Sequence, residues 1–230
     1  MKSLEVRSAG IFAVLGIIVS SMLLVSSCGS NSSSTDTTYK YVAYGDSMTR
    51  GAGDYSAGVV TTDRCSEEFN GGYVPRLKNI VGEEIANEGI CGESIFTGER
   101  RLRIVLERDH PTYIFILEGA NDRGGSVEGI AAALCRMVEM AKRNNATPII
   151  GTLPPVFDEY DDFAEWTNSM NEAIRKVAVD ETVALADHAV AFNNDRSLIW
   201  RDGLHPNEDG YKVMADTWYN ALLEAQAGVM

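Results

Sequence analysis

Four short blocks of this sequence carry groups suited to acyl transfer. Gly45-Asp46-Ser47 supplies a hydroxyl, and Asn87-Glu88-Gly89-Ile90-Cys91-Gly92 a turn with backbone N–H groups. Gly119-Ala120-Asn121-Asp122 supplies a side-chain amide. Asp202-Gly203-Leu204-His205-Pro206-Asn207 supplies an imidazole with a carboxylate three residues before it. A serine hydroxyl is a poor nucleophile until a base takes its proton, and a histidine can do so near neutral pH. Asp202 is placed to accept the other ring N–H of His205 and so hold its tautomer. The tetrahedral intermediate of acyl transfer bears an anionic oxygen. The N–H groups of Ser47 and Gly89 and the amide of Asn121 are candidate donors to it. Glycine at 89 lets backbone approach a substrate with no Cβ in the way.

These blocks need a scaffold that brings distant loops together. Lys40–Tyr44 reads as a short buried strand stopping at Gly45, and Glu84–Ala86 as a weaker strand ending at Asn87. Tyr113–Leu117 is the clearest strand; Thr147–Leu153 and Val183–Ala186 complete five. Helical patterns fall between them, around Tyr73–Val81 and over Arg100–Arg108. Val127, Ile130, Ala131, Leu134, Val138 and Ala141 keep helical spacing, as do Phe163, Trp166, Met170, Ala173, Ile174 and Val177. Tyr211, Met214, Ala215, Trp218, Leu222 and Ala225 mark a last helix. Five strands separated by helices imply an α/β fold, a three-layer α/β/α sandwich around a parallel sheet. Ligands bind such sheets at the carboxyl ends of the strands, where the first three blocks stand.

In these four blocks the sequence resembles the SGNH, or GDSL, hydrolase family of esterases and lipases. The blocks match in order over positions 45 to 206. A lone Gly-Asp-Ser says little, but four blocks in order at strand ends are specific. The resemblance implies Ser47 as nucleophile, His205 as base and Asp202 as its orienter, with Ser47, Gly89 and Asn121 around the oxyanion. It implies the flavodoxin-like strand order 2-1-3-4-5, which sets the first three loops side by side. Two positions depart from the family's pattern: the first block continues Ser47-Met48-Thr49, and Cys91 stands where serine is common. Neither touches a catalytic role.

Other readings carry less. Ser94 is the rival nucleophile, but Phe96 stands where a nucleophile elbow wants glycine. His110 and His188 read as structural. No His-Glu-x-x-His or Cys/His cluster is present, so no metal is expected. No Gly-x-Gly-x-x-Gly follows the first strand, so no dinucleotide or other cofactor is expected. The run Glu159-Tyr160-Asp161-Asp162 reads as a solvated helix start. Trp200 and Tyr55 are candidates to line a pocket.

The chain begins with a segment outside the fold. Lys2 and Arg7 precede an apolar run, Ile11 to Val25. It is shorter than the roughly 20 residues of a spanning helix and fits a signal h-region of about 7–15. Val25-Ser26-Ser27-Cys28 resembles the lipobox of bacterial lipoprotein precursors, in which the cysteine takes the lipid. The expected organisation is a signal peptide over 1–27, a Ser-rich tether over 28–38 with lipidated Cys28, and one hydrolase domain over 39–230. The expected location is the bacterial cell envelope, lipid-anchored, on the periplasmic or extracellular face. Outside the cytosol a cysteine pair can be oxidised. Cys135 lies in a helical pattern, so Cys65 and Cys91, in loop-like stretches, are the expected disulfide pair.

Composition bounds the partners. With 45% hydrophobic and 23% charged residues the chain is of ordinary globular type. Its net charge of −13 becomes −14 once residues 1–27 are removed. That acidity disfavours nucleic acid and any charge-driven binding to anionic lipid. The expected reaction is deacylation of a carboxylic ester through an acyl-Ser47 intermediate, with an O-acetyl glycan, a lysophospholipid or a short-chain or thio ester as substrate. The lack of a long apolar lid segment favours short acyl groups. An acyltransferase, or a non-hydrolytic glycan-binding lipoprotein on the same fold, is the alternative. Pure binding does not need a nucleophile–base pair.

Overall fold

The computed structural model describes residues 38–54, 65 and 71–228. The signal segment, lipid-bearing Cys28, most of the tether and Tyr55 lie outside the described residues. The chain from Asp36 onward forms one unit. No helix among the described residues is long and apolar enough to cross a membrane.

Five parallel strands build one sheet: β1 Tyr41–Gly45, β2 Ile85–Gly89, β3 Tyr113–Leu117, β4 Thr147–Gly151 and β5 Ala184–Ala186. Their order is β2-β1-β3-β4-β5. β1 is buried along its whole length, as a strand covered on both faces must be. The helices are α1 Ser47–Arg50, α2 Tyr73–Val81, α3 Ile95–Asp109, α4 Val127–Arg143, α5 Ala164–Glu181, α6 His188–Phe192 and α7 Glu208–Ala227. α2, α6 and α7 pack together on one face of the sheet, and α3, α4 and α5 on the other. The chain runs from β1 outward to β2, then back across to β3 and on to β5. Right-handed crossovers in those two directions place helices on opposite faces.

The helices with a readable period bury most of the expected stripe; on α4, Val127 and Ala131 are only half-buried while Ala133 and Met137 join the core. On α4 the buried side chains are Ile130, Ala133, Leu134, Met137, Val138 and Ala141. On α7, Trp218 is wholly buried, its ring 5.4 Å from Phe115 of β3 and 5.8 Å from Tyr73 of α2.

Some boundaries differ from the sequence-based expectation. β2 runs to Gly89, so the polar run Asn87-Glu88-Gly89 is strand and not loop. Its main chain pairs with β1 residue by residue, up to Gly45 opposite Gly89. At a sheet edge that pairing decides the conformation whatever the side chains are. β4 ends at Gly151, two residues before Leu153. α3 begins at Ile95, five residues before Arg100, because Ile95 and Gly98 are both buried against the sheet. α1 and α6 have too few residues to show a period.

Candidate active site

The site assembles at the carboxyl ends of β1, β2 and β3. β1 stops at Gly45, and Asp46 caps the short helix that follows, its Oδ1 accepting the Met48 N–H at 2.9 Å. Ser47 is thus the first residue of α1, 8% exposed. The register of β1 with β2 and β3 sets Gly89 and Leu117 on either side of Gly45. Gly89 has a steric reason as well. A Cβ there would lie 2.3 Å from the Arg50 nitrogen and 2.8 Å from the Asp46 carbonyl oxygen, so only glycine lets β2 close on the helix that carries Ser47.

His205 arrives from the far end of the chain. Ile199 and Pro206 form an isolated antiparallel bridge, and the Trp200 N–H donates to the His205 carbonyl at 2.7 Å. The loop between them is pinned further by the Phe157 N–H, which donates to the Gly203 carbonyl at 2.8 Å. Gly203 has φ +76°, and a Cβ there would stand 2.2 Å from the Phe157 oxygen. Asn207 then caps α7, its side chain accepting from the Asp209 and Gly210 N–H groups. His205 is therefore mounted on a tied loop at a helix start.

The three groups named for catalysis meet. Ser47 Oγ lies 2.9 Å from His205 Nε2, and His205 Nδ1 lies 2.8 Å from Asp202 Oδ2. The other oxygen of Asp202 accepts the Leu204 and His205 backbone N–H groups, each at 3.0 Å. Burial draws the Asp202 carboxyl upward, but the His205 ring N–H and the two backbone N–H groups outweigh it and hold it at about 2. Asp202 is a carboxylate throughout the neutral range, able to orient an imidazole and to stabilise the imidazolium it becomes. Asp46 is different: burial pushes it to about 6 against the pull of the Met48 N–H and the charges of His205 and Arg123.

Two of the three oxyanion candidates already donate to other groups. The Gly89 N–H donates to the Asn87 side chain at 3.0 Å. Asn121, exposed in the middle of a 3-10 turn, donates from Nδ2 to the Glu93 carbonyl at 2.9 Å and to Asp46 Oδ2 at 3.2 Å. Asp122 accepts the Ile95 N–H at 2.8 Å, joining this turn to the start of α3.

Cys65 and Cys91 form a disulfide with Cα atoms 5.8 Å apart, next to the β2-end turn. Cys135 is a free, half-buried thiol that donates to Glu181 Oε1 at 3.2 Å. With Glu139 these two gather metal-compatible atoms within 4.8 Å of one another on α4 and α5, where Lys142 already holds Glu181. Ser94 is the N-cap residue of α3, 3.4 Å from Thr97 Oγ1. His110 ends α3, and His188 is fully buried, its imidazole pushed down to about 3 by burial. Trp200 is half-buried. Glu93 and Glu118 are buried acids that sequence reasoning missed, because neither sits in a recognisable motif.

Two cavities bear on the chemistry. A large one of about 590 Å³, lined among others by Arg175, Val179, Leu185 and Glu224, lies at the β5 edge and contains none of the site residues. A small one of about 10 Å³ is lined by Met48, Ala120, Leu204 and by Arg123, Leu153, Pro154, Val156 and Thr167. The first three are the chain neighbours of Ser47, Asn121 and His205.

A family model described as GDSL-like lipase/acylhydrolase matches residues 43–213. Among solved structures the chain is similar to the lipase/acylhydrolase from Enterococcus faecalis, with 20% identity, 83% of this chain and 97% of that one covered, and a TM-score of 0.65. It is similar to the psychrotrophic esterase EstA from Pseudoalteromonas sp., with 21% identity, coverage of 81% and 98%, and a TM-score of 0.61. It is similar to the acetyl xylan esterase AlAXEase, with 22% identity, coverage of 80% and 100%, and a TM-score of 0.65. No match is found among curated proteins.

Proposed function

Since the chain belongs to the GDSL-like lipase/acylhydrolase family and is an ester-hydrolysing enzyme, we propose that it releases short acyl groups, such as acetyl, from carboxylic esters through an acyl-Ser47 intermediate. The observation that carries this reading is the unbroken contact from Ser47 Oγ through both ring nitrogens of His205 to Asp202, at 2.9 and 2.8 Å.

Ser47 Oγ attacks the ester carbonyl carbon while its proton passes to His205 Nε2. The imidazolium is stabilised by Asp202, which stays ionised. The carbonyl oxygen becomes an anion that accepts from the Ser47 N–H, from Asn121, and from the Gly89 N–H, which turns from the Asn87 side chain to do so. Asn121 gives up its longer bond, to Asp46, and keeps the shorter one, to the Glu93 carbonyl. The intermediate collapses, the C–O bond to the alcohol breaks, and His205 returns the proton to that alcohol. Water then attacks the acyl-Ser47 by the same steps in reverse, releasing the acid and restoring the hydroxyl.

The small cavity supports the choice of a short acyl group. It leaves no room for a long chain beside the neighbours of Ser47, Asn121 and His205, which agrees with the lack of a long apolar lid segment in the sequence. An O-acetylated glycan is the substrate class that pairs such an acyl group with an envelope location. That location is proposed from the lipobox-like Val25-Ser26-Ser27-Cys28, with lipid on Cys28 as the anchor.

A fluorophosphonate probe tests the nucleophile: it labels the protein, and Ser47→Ala abolishes labelling. Labelling that survives in S47A refutes the assignment. A panel of p-nitrophenyl esters from acetyl to palmitoyl, beside acetylated polysaccharide, tests the acyl class. Highest kcat/KM on long chains would overturn it. Incorporation of labelled fatty acid in cells, lost in Cys28→Ala, tests the anchor.

A further inference from the structure

Behind Asn121 lies a buried group of acids with too little positive charge to ionise them all. Glu118 follows β3, is 2% exposed, and accepts no N–H among the described residues; its one side-chain contact is with the Glu93 carboxyl, a pair that can share a hydrogen bond only if one of the two keeps its proton. Such a group carries a large cost if it is charged. It faces α3 at Gly98, where a Cβ would stand 2.8 Å from Glu118 Oε1 and 3.5 Å from Glu93 Oε2. The nearby hydroxyl of Tyr44 is already spent on the Gly98 carbonyl, at 2.7 Å.

The titratable groups around Glu118 are Asp46 and Tyr44 from the β1 end, Glu93 from the β2-end turn, Arg101 from α3 and Tyr73 from α2. The one guanidinium among them is committed. Arg101 grips the Glu93 carboxylate with two nitrogens, Nε lying 2.9 Å from Oε1, and stacks on the Tyr44 ring at 4.1 Å. Its Nη2 also donates to the Glu88 carbonyl at 3.0 Å. Glu93 in turn presents its backbone carbonyl to the amide of Asn121 at 2.9 Å.

We propose that Glu118 is an uncharged positioning residue for Asn121: by carrying no charge it leaves the grip of Arg101 on Glu93 unopposed, and so fixes the carbonyl that holds the Asn121 amide. An ionised Glu118 would draw Arg101 from Glu93 and repel Asp46, and Asn121 would lose both of its anchors. Burial first, then the charges of Asp46 and Glu93, push the Glu118 carboxyl well above the usual carboxylate range, which supports the neutral form. The proposal rests on the reading of Asn121 as an oxyanion donor.

Infrared spectroscopy of the unmodified protein reads the charge directly. At pH 7 the spectrum should contain the C=O stretch of a protonated carboxyl that is absent from Glu118→Gln. As pH is raised, loss of that band should lower kcat by tenfold or more with KM little changed. The fall should be missing from E118Q, which cannot ionise, and from Asn121→Ala, which has nothing left to misplace. At neutral pH, E118Q should keep kcat within about threefold of the parent. Three outcomes overturn the proposal: no protonated-carboxyl band at pH 7, loss of the band with kcat unchanged, or an alkaline fall that persists in E118Q. Failure of the underlying oxyanion reading looks different: N121A would then keep its kcat at pH 7, whatever the band does.

Discussion

Two acids serve this site from two loops and end in opposite states. Asp202, on the loop before α7, receives three N–H groups: two from the backbone of Leu204 and His205 and one from the His205 ring. Glu118, after β3, receives none among the described residues. Burial acts on both in the same direction, yet Asp202 settles at about 2 and Glu118 well above the carboxylate range. Glu118 lies deeper, stands beside the acids Asp46 and Glu93 and accepts no N–H, while three N–H groups are aimed at Asp202, so depth, neighbouring charge and hydrogen bonding together assign the charge. On the proposed mechanism, the loop that supports a positive imidazolium is built around a fixed negative charge. The region that must hold an amide still is built around a missing one.

The largest expected effect comes from making the two acids alike. Asp202→Asn keeps the shape but not the charge and cannot hold the His205 tautomer. Its kcat on p-nitrophenyl acetate should fall by about 10³–10⁴. A loss under tenfold would mean that Asp202 is a loop fastener and that its charge is incidental.

Next in size is Asn121→Ala, which removes the group that Glu118 is proposed to position. Losing one oxyanion donor costs about 10²–10³ in kcat. KM should stay within a few-fold, since the bond is made only to the anionic oxygen. A rise in KM with kcat kept would make Asn121 a substrate-binding residue.

The comparison also explains what could be read from the sequence. Asp202 was legible because it stands three residues from His205, and a local spacing is visible in a linear text. Ser47, Gly89 and Asn121 were legible because each sits in a short block at the end of a strand pattern. Glu118 was not, since Leu117-Glu118-Gly119 reads as a strand running out into a polar turn. Its burial comes from Gly98, twenty residues earlier, which brings α3 close enough to cover the carboxyl. The fold shows the same divide. The apolar cores of β1 and β3 and the stripes of α4 and α7 announce themselves, but β2 is completed by its pairing with β1. The order 2-1-3-4-5 came from resemblance, because periodicity says which segments are strands and not which are neighbours.

A third test follows Asp202 down in pH. Its native pKa of about 2 lies below the unfolded value of about 3.9. The stability it contributes is therefore present above pH of about 4 and lost as pH falls through 2. Denaturant unfolding of wild type and D202N should show a gap at pH 5 that narrows toward pH 2. A gap that does not change with pH would mean that the carboxylate adds no charge-dependent stability, and the contrast with Glu118 would lose one of its sides.

The smallest effect is the mirror image. The native pKa of Glu118 is raised above an unfolded value of about 4.3. Below that value folded and unfolded chains hold the proton alike. Above it the unfolded chain releases the proton while the native one keeps it, so stability falls as pH rises, by at most about 1.4 kcal/mol per pH unit for one group. Glu118→Gln removes that slope. Relative to wild type, E118Q should gain stability steadily from pH 5 to pH 8, measured by denaturant unfolding at each pH, just where D202N keeps a constant deficit. Parallel curves for E118Q and wild type would mean that Glu118 ionises natively as easily as it does unfolded. Burial without donors would then have failed to set its charge, and the opposition between the two acids would collapse.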